Sequence, residues 1–221
     1  MMGSPVFSRR AALAALGAVA PLVVLPVSAG VTAPYRARRT LMGTAVDITV
    51  ADGSQAGVAQ KVDAAFEAMQ RLEGLMSRFD GSSALSRLNQ SAGGPGIAIP
   101  REMLEVLQQG QALSRKTGGA FEPLLGQLTA QADRDAGPLD NAQIRRLLPH
   151  ARSSALHLDK RASRARLSDP LARIDLGGVA KLPILQAGLD ALTQSGLRGC
   201  MVNGGGDVLA SRRADGQPWR I

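Results

Sequence analysis

The sequence predicts an α+β fold, a single domain of mixed sheet with packed helices. Residues 45–50 alternate between apolar and polar side chains, as a strand with one buried face does. Residues 54–78 instead carry apolar side chains at helical spacing over about six turns. Strand-like segments later in the chain follow one another directly, which argues against a parallel α/β sheet. A chain of 221 residues, 45% of them apolar, is long enough for one solid core.

The first residues are predicted to lie outside that domain. Ser8-Arg9-Arg10 precedes an apolar run of Ala, Leu and Val, and small residues follow at Val27–Ala29. A basic start, an apolar middle and a small-residue cleavage site are typical of an export signal, here residues 1–29. The paired arginines favour the twin-arginine route and a periplasmic location.

The alternative to a cleaved signal is an uncleaved anchor helix in the inner membrane. Pro21 and Pro26 interrupt the apolar run, which favours cleavage. A linker over residues 30–38 is then expected to lead into the domain, residues 39–221.

The N-terminal half of the domain begins with a predicted strand over residues 39–50, in which Gly43 marks a bulge or a close backbone approach. The long helix over residues 54–78 ends in a turn-rich loop that contains Phe79. The elements predicted next are a short helix over 83–90 capped by Ser83, a brief strand over 97–99, and a helix opened by Pro100 and ended by Gly118-Gly119.

The C-terminal half is predicted to contain more strands than helices. An apolar segment over 120–126 carries one carboxylate, Glu122. The elements predicted after it are a short helix over 141–148 capped by Asp140, hairpin strands over 156–158 and 165–167, a strand ending near Ile174, a helix over 183–195, and strands over 200–203 and 208–210.

Charge and composition argue against two classes of function. The formal net charge is +8, but the basic residues are scattered and no basic stripe with interleaved aromatics occurs, which argues against nucleic-acid binding. Cys200 is the single cysteine, so no disulfide can form within the chain. His150 and His157 lack the spacing of a helical zinc site, which argues against zinc hydrolase chemistry.

The stretch from Ile174 to Lys181 is the strongest candidate for a binding site. It joins a carboxylate, Asp175, to two glycines and then to a lysine that enters a helical pattern. Glycines let a ligand approach bare backbone, and a helix start attracts phosphate. On its own, however, the pattern favours a tight strand-to-helix turn with a surface Asp and Lys. For Met42 the residues alone favour core filling, and for Phe79 a stacking surface and a simple loop anchor are equally compatible.

Taken together, five stretches resemble the ApbE family of flavin transferases, FAD:protein FMN transferases, in order and spacing. The resemblance covers the chain from about residue 39 to its end. The five stretches are Met42-Gly43-Thr44; Met76 to Phe79 with Ser83 and Asn89; Thr117 to Pro123; Ile174 to Lys181; and Val202 to Asp207 with Gly216, Pro218, Trp219 and Arg220.

The resemblance implies that FAD is bound and split at its pyrophosphate. FMN would pass to a Thr or Ser of an acceptor flavoprotein, by family habit a membrane respiratory subunit, with release of AMP and assistance from Mg²⁺. Met42 would then contact the flavin side, and Phe79 would stack on a ring in place of the family's usual Tyr. Asp175 would hydrogen-bond FAD, with Lys181 beside it.

Two further roles follow from the same resemblance. Ala120, Phe121 and Glu122 would line the nucleotide, and the backbone carbonyl of Gly178 would bind Mg²⁺. No catalytic residue is assigned.

The sequence departs from the family in three places. Leu182-Pro183 stands where Gly and an aromatic usually follow the lysine, and Glu122 stands where Asp is usual. The family continues with a segment whose Asp and Thr complete the magnesium site, so we expect the 221 residues to be the larger part of a longer protein. Two other functions remain open: a periplasmic FAD-binding or flavin-carrier protein without transferase activity, and an exported structural domain whose glycines only form turns.

Overall fold

The computed structural model describes residues 32–135 and 138–220. The predicted signal, residues 1–29, lies outside the described residues. Within them, the seven strands are β1 Tyr35–Leu41, β2 Thr44–Val50, β3 Ile97–Ala98, β4 Leu156–Asp159, β5 Arg164–Leu167, β6 Cys200–Gly204 and β7 Asp207–Ala210. The six α-helices are α1 Val58–Met76, α2 Ala84–Gln90, α3 Arg101–Lys116, α4 Gly126–Asp135, α5 Asn141–Leu147 and α6 Lys181–Gln194.

The strands form two antiparallel sheets, so the predicted α+β class is confirmed. The larger sheet has the order β1-β2-β6-β7, and the smaller one has the order β3-β5-β4. In β2 the side chains of Val46, Ile48 and Val50 are fully buried, which accounts for the alternation in the sequence.

Helices α1 and α6 pack against each other and against the larger sheet. The apolar stripe of α1 is buried as predicted, with Phe66 and Met69 at its centre. The two helices approach closely at Gly188, where an added Cβ would lie 2.7 Å from the sulfur of Met69. This tight layer fixes the start of α6 above one end of the sheet.

Two predicted boundaries of the first strand are wrong. The segment 39–50 is a hairpin of β1 and β2, and the residues that join them are Met42 and Gly43. Strand β1 also begins at Tyr35, inside the segment that the sequence assigned to a linker. Backbone pairing with β2 along its whole length, from Tyr35 with Val50 to Leu41 with Thr44, explains why these polar residues are ordered.

Three predictions farther along the chain also need correction. Helix α4 was not predicted, and Leu128 is the only large apolar residue within it. Helix α6 begins at Lys181, two residues before the predicted start. The segment around Ile174 is extended but belongs to neither sheet, because Asn89 and residues 123–126 supply its backbone partners. The caps at Ser83 and Asp140 are confirmed by their hydrogen bonds to Ser86 N and Gln143 N.

None of the helices in residues 32–135 and 138–220 has the length and apolar character needed to cross a membrane.

Candidate functional site

Two tight turns lie side by side at one end of the larger sheet. The β1–β2 turn has positive φ at Met42 (53°) and Gly43 (69°), and the β6–β7 turn has positive φ at Gly205 (58°) and Gly206 (99°). Two consecutive left-handed residues are what a two-residue hairpin turn of type I′ requires. They are unfavourable for a methionine, so Met42 is a strained residue at this sheet end.

A carboxylate on the neighbouring helix holds the strained turn. Glu73 of α1 accepts a hydrogen bond of 2.6 Å from the backbone N–H of Met42. This bond offsets part of the strain because a bond to a charged acceptor is among the stronger ones in proteins. The side chain of Met42 is half-buried and packs against the edge of the core.

The start of α6 meets the second turn. Lys181 Nζ lies 2.9 Å from Asp207 Oδ2, at the first residue of β7. A Cβ added at Gly205 would lie 2.5 Å from Thr44 Oγ1 and 3.2 Å from Lys181 Nζ, so glycine lets the turn pass between these two side chains. The ammonium group therefore lies where the sheet end, the turn and the helix start converge.

The loop after α1 supplies the opposite wall. Arg78 Nε lies 3.0 Å from Asp175 Oδ2, and a second nitrogen of the same guanidinium lies 2.6 Å from Asp133 Oδ2. The guanidinium carbon also lies 4.2 Å from the centre of the Phe79 ring, a cation–π distance. The Phe79 side chain is 80% exposed, so it is not a buried loop anchor.

Asn89 fixes the chain that carries Asp175. Its amide oxygen accepts from Ile174 N at 2.7 Å, and its amide nitrogen donates to Ile174 O at 2.9 Å. Next along the chain, Asp175 N donates to Pro123 O, and Asp175 Oδ1 accepts from Gly177 N, both at 2.8 Å. The Asp175 side chain is only 16% exposed, which rules out the surface position considered from the sequence.

These elements enclose a cleft of about 480 Å³. Four of the predicted binding residues line it together, namely Met42, Phe79, Asp175 and Lys181. The remaining lining residues are Gly43, Glu73, Met76, Ser77, Arg78, Leu176, Gly177, Ala180 and Ile184. The cleft thus combines an apolar floor, one exposed aromatic ring and side chains of both charges, a composition typical of a small-molecule site.

The predicted residues Ala120, Phe121 and Glu122 do not line this cleft. Glu122 Oε2 accepts from Ser114 Oγ at 3.0 Å and from Ser153 N at 2.9 Å, while its Oε1 accepts from Leu124 N at 3.1 Å. Its carboxylate therefore joins three parts of the scaffold.

Phe121 instead covers the glycine turn from outside the cleft. A Cβ added at Gly178 would lie 3.0 Å from the Phe121 ring. The packing of the Phe121 ring therefore explains why residue 178 is a glycine, independently of any ligand of its carbonyl.

The departure at Leu182-Pro183 also falls outside the cleft. Both residues line a neighbouring groove of about 500 Å³ between α1, α3 and α6. Leu182 is 52% exposed there. The substitution of the usual glycine and aromatic therefore changes the outer side of α6 and leaves the lining of the cleft untouched.

Three cleft or rim residues were not assigned a role from the sequence: Glu73, Arg78 and Asp207. Glu73 lies four residues after Met69 and three before Met76, so the apolar stripe of α1 already places it on the inner face. Arg78 and Asp207 lie within stretches that carry the family resemblance, but only the fold shows that their partners are Asp175 and Lys181.

No group of three or more His, Cys, Asp or Glu side chains that could hold a metal ion occurs in the described part of the chain. The carboxylates of Asp175 and Asp207 already face a guanidinium and an ammonium, respectively. The described side chains therefore do not form a magnesium site by themselves.

Comparison with known proteins identifies the family. The model of the ApbE family matches residues 42–221, which is most of the chain.

The chain belongs to the ApbE family.

Curated relatives named FAD:protein FMN transferase match at 28–29% identity. The protein of Rhodobacter capsulatus is 29% identical over 143 residues, which cover 62% of this chain and 27% of the relative. The protein of Treponema pallidum is 28% identical over 154 residues, 66% of this chain and 42% of the relative. The chain thus spans less than half the length of either relative.

Solved ApbE structures have the same fold. The ApbE protein of Thermotoga maritima superposes with a TM-score of 0.75 at 24% identity, over 84% of this chain and 62% of that one. The flavin transferase ApbE of Vibrio cholerae gives 0.74 at 22% identity, over 85% of this chain and 63% of that one. These likenesses support the ApbE fold of the domain described above.

Proposed function

We propose that this chain provides the FAD-binding part of an FAD:protein FMN transferase. The observation that carries the proposal is the cleft in which Met42, Phe79, Asp175 and Lys181 meet. The relatives that bear this name support the same activity.

The chemistry of the cleft suits a flavin dinucleotide. A pyrophosphate needs positive charge, which the Lys181 ammonium and the N-terminal end of the 14-residue helix α6 can supply. The open face of Phe79 can stack on a flat ring, and Asp175 can accept a hydrogen bond from a ring or sugar donor. Met42 contributes apolar surface on the flavin side.

The transfer itself is a phosphoryl substitution. The hydroxyl oxygen of an acceptor Thr or Ser forms a bond to the phosphorus of the FMN half. The bond from that phosphorus to the bridging oxygen breaks, and AMP leaves with the bridging oxygen. The hydroxyl proton passes to a base. Lys181 would act here by stabilising charge on the phosphate oxygens.

Mg²⁺ dependence is part of the proposal, with the carbonyl of Gly178 as one ligand. Mg²⁺ prefers oxygen ligands and keeps substrate phosphates in its coordination sphere. The described side chains form no metal cluster of their own. A titration of FAD with and without MgCl₂ tests the dependence. We expect tighter binding with the metal, and equal affinities would contradict it.

The proposal has three further parts that rest on the sequence alone. They are export through the twin-arginine route, a periplasmic location and a membrane respiratory acceptor. Expression of the chain with its first 29 residues, fused to a reporter that is active only after export, tests the location. Replacing Arg9 and Arg10 with lysine should abolish export by the twin-arginine route.

Transfer activity is tested directly with the protein, FAD, MgCl₂ and a flavin-free acceptor subunit. We expect flavin fluorescence that stays on the acceptor after denaturation, together with an equal amount of AMP. Lys181→Gln should reduce the rate at least tenfold, whereas Lys160→Gln, at an exposed hairpin residue outside the cleft, should not change it.

A FAD-binding or flavin-carrier protein without transferase activity is the second candidate. This candidate is favoured because the described residues place binding groups in the cleft but form no metal cluster. FAD binding without release of AMP, with the acceptor present, would support the carrier and contradict the transferase.

A further inference from the structure

Arg78 connects two cleft residues, Asp175 and Phe79, to the scaffold. Its guanidinium contacts Asp175 at 3.0 Å, Asp133 of α4 at 2.6 Å and the face of Phe79 at 4.2 Å. Its side chain is 21% exposed, so most of it is enclosed by these partners. We propose that Arg78 is a positioning residue that orients Asp175 and Phe79 for the bound nucleotide. This inference rests on the proposed function, in which the cleft binds FAD.

The contacts of Arg78 leave little of it for a ligand. One nitrogen bonds Asp175, a second bonds Asp133, and one face of the guanidinium plane lies over the Phe79 ring. Lys181 differs, because its ammonium has one carboxylate neighbour, Asp207, whose side chain is 47% exposed. Arg78 therefore acts through its neighbours, whereas Lys181 is available to phosphate.

The charge of Arg78 matters for Asp175 in particular. Asp175 is largely enclosed and lines a cleft that is proposed to receive a pyrophosphate. Without a cation beside it, an enclosed carboxylate is costly and repels an incoming anion. Arg78 removes both effects and, with the N–H of Gly177, directs the two oxygens of the carboxylate.

Phe79 depends on Arg78 for a different reason. At 80% exposure, its ring has little packing to hold it, although its backbone N–H is fixed by Ser77 Oγ at 3.2 Å. The guanidinium that lies over one ring face selects an orientation in which the other face can stack on a ligand. The two binding residues thus share one support.

A double-mutant cycle tests this dependence. We expect Arg78→Gln and Asp175→Asn each to raise the Kd for FAD about tenfold in a fluorescence titration. The double variant should be no weaker than the weaker single variant, because Asp175 contributes only when Arg78 orients it. Arg78→Lys should raise the Kd for FAD about threefold, since lysine keeps the charge but not the planar fork of the guanidinium.

Arg87→Gln is the matched control. Arg87 lies on α2, donates to Ser82 O and is outside the cleft, so its loss should leave the Kd for FAD unchanged. Thermal unfolding of every variant separates folding from binding.

Two results would overturn the inference while leaving the proposed function intact. If Arg78→Gln lowers the Tm but leaves the Kd unchanged, Arg78 has only a structural role. If the double variant shows the roughly hundredfold loss of two independent effects, Arg78 contacts the ligand itself. A wild-type protein that fails to bind FAD would instead contradict the proposed function.

Discussion

Two carboxylates of this domain, Asp175 and Glu122, look alike in the sequence and have different surroundings in the structure. Each follows an apolar residue in a stretch that resembles the ApbE family. Glu122 accepts three hydrogen bonds, from Ser114, Ser153 and Leu124, and faces the scaffold. Asp175 accepts one backbone bond and pairs with Arg78 while lining the cleft.

The difference shows how a carboxylate's role depends on the donors around it. A group that satisfies three donors on separate elements stabilises the fold, and its removal leaves those donors unpaired. A group that lines a cleft and has a single counter-charge is placed to contact a ligand. Glu122 is therefore expected to govern stability, and Asp175 is expected to govern binding.

The largest effect is expected at Glu122. Glu122→Ala should lower the free energy of unfolding by about 3 kcal/mol, because it leaves Ser153 N and Leu124 N without their acceptor and removes one of the two partners of Ser114 Oγ. Urea unfolding measures this loss. The Kd for FAD of the folded protein should stay within about twofold of wild type, and a tenfold loss without destabilisation would reverse the roles of the two carboxylates.

Asp175→Asn should show the opposite pattern. We expect a tenfold rise in the Kd for FAD, about 1.4 kcal/mol, with a change in unfolding free energy below about 1 kcal/mol. Stability should hold because Arg78 keeps its bond to Asp133. A large loss of stability with unchanged FAD affinity would make Asp175 a second scaffold carboxylate.

Met42→Asn separates strain from binding at the sheet end. Asn-Gly is the preferred pair for this turn, so the variant should be more stable by about 0.5 kcal/mol. Its Kd for FAD should nevertheless rise about threefold, because the apolar surface of Met42 is lost from the cleft. Reduced stability in calorimetry would show that the packing of Met42 outweighs its strain.

The smallest effect on stability is expected at a third carboxylate, Asp169. A hydrogen bond with His150 at 2.7 Å, aided by backbone N–H groups, lowers the pKa of Asp169 below its ordinary value. A lowered folded-state pKa stabilises the fold above the unfolded carboxyl pKa, about 4, and this contribution is lost as pH falls through the folded value.

Asp169→Asn should therefore be less stable than wild type at pH 6, with the gap shrinking between pH 5 and pH 3. The comparison needs urea unfolding at each pH. A gap that stays constant over this range would show that ionisation of Asp169 contributes nothing.

The regular parts of the fold could be predicted because their signals are local. The apolar stripe of α1 and the capping residues Ser83 and Asp140 each act within a few residues. The Met42-Gly43 turn was missed because methionine is a rare residue at positive φ. Ile174 looked like a sheet strand, but a side chain, Asn89, supplies its hydrogen bonds, and no local pattern reveals that pairing.

The residues that line the cleft were partly predictable. The family resemblance located Met42, Phe79, Asp175 and Lys181, which the fold brings together. The roles of Arg78 and Glu122 depend on partners on other elements, Asp133 for the one and Ser153 for the other. Such contacts arise only from tertiary packing.

A crystal structure of the protein with FAD would test the binding cleft most directly. We expect the dinucleotide in the cleft, with a phosphate oxygen near Lys181 Nζ, a ring against Phe79 and the Glu122 carboxylate still bonded to Ser114 and Ser153. FAD bound in the groove beside Leu182-Pro183, or bound to the Glu122 carboxylate with the cleft empty, would contradict the assignment.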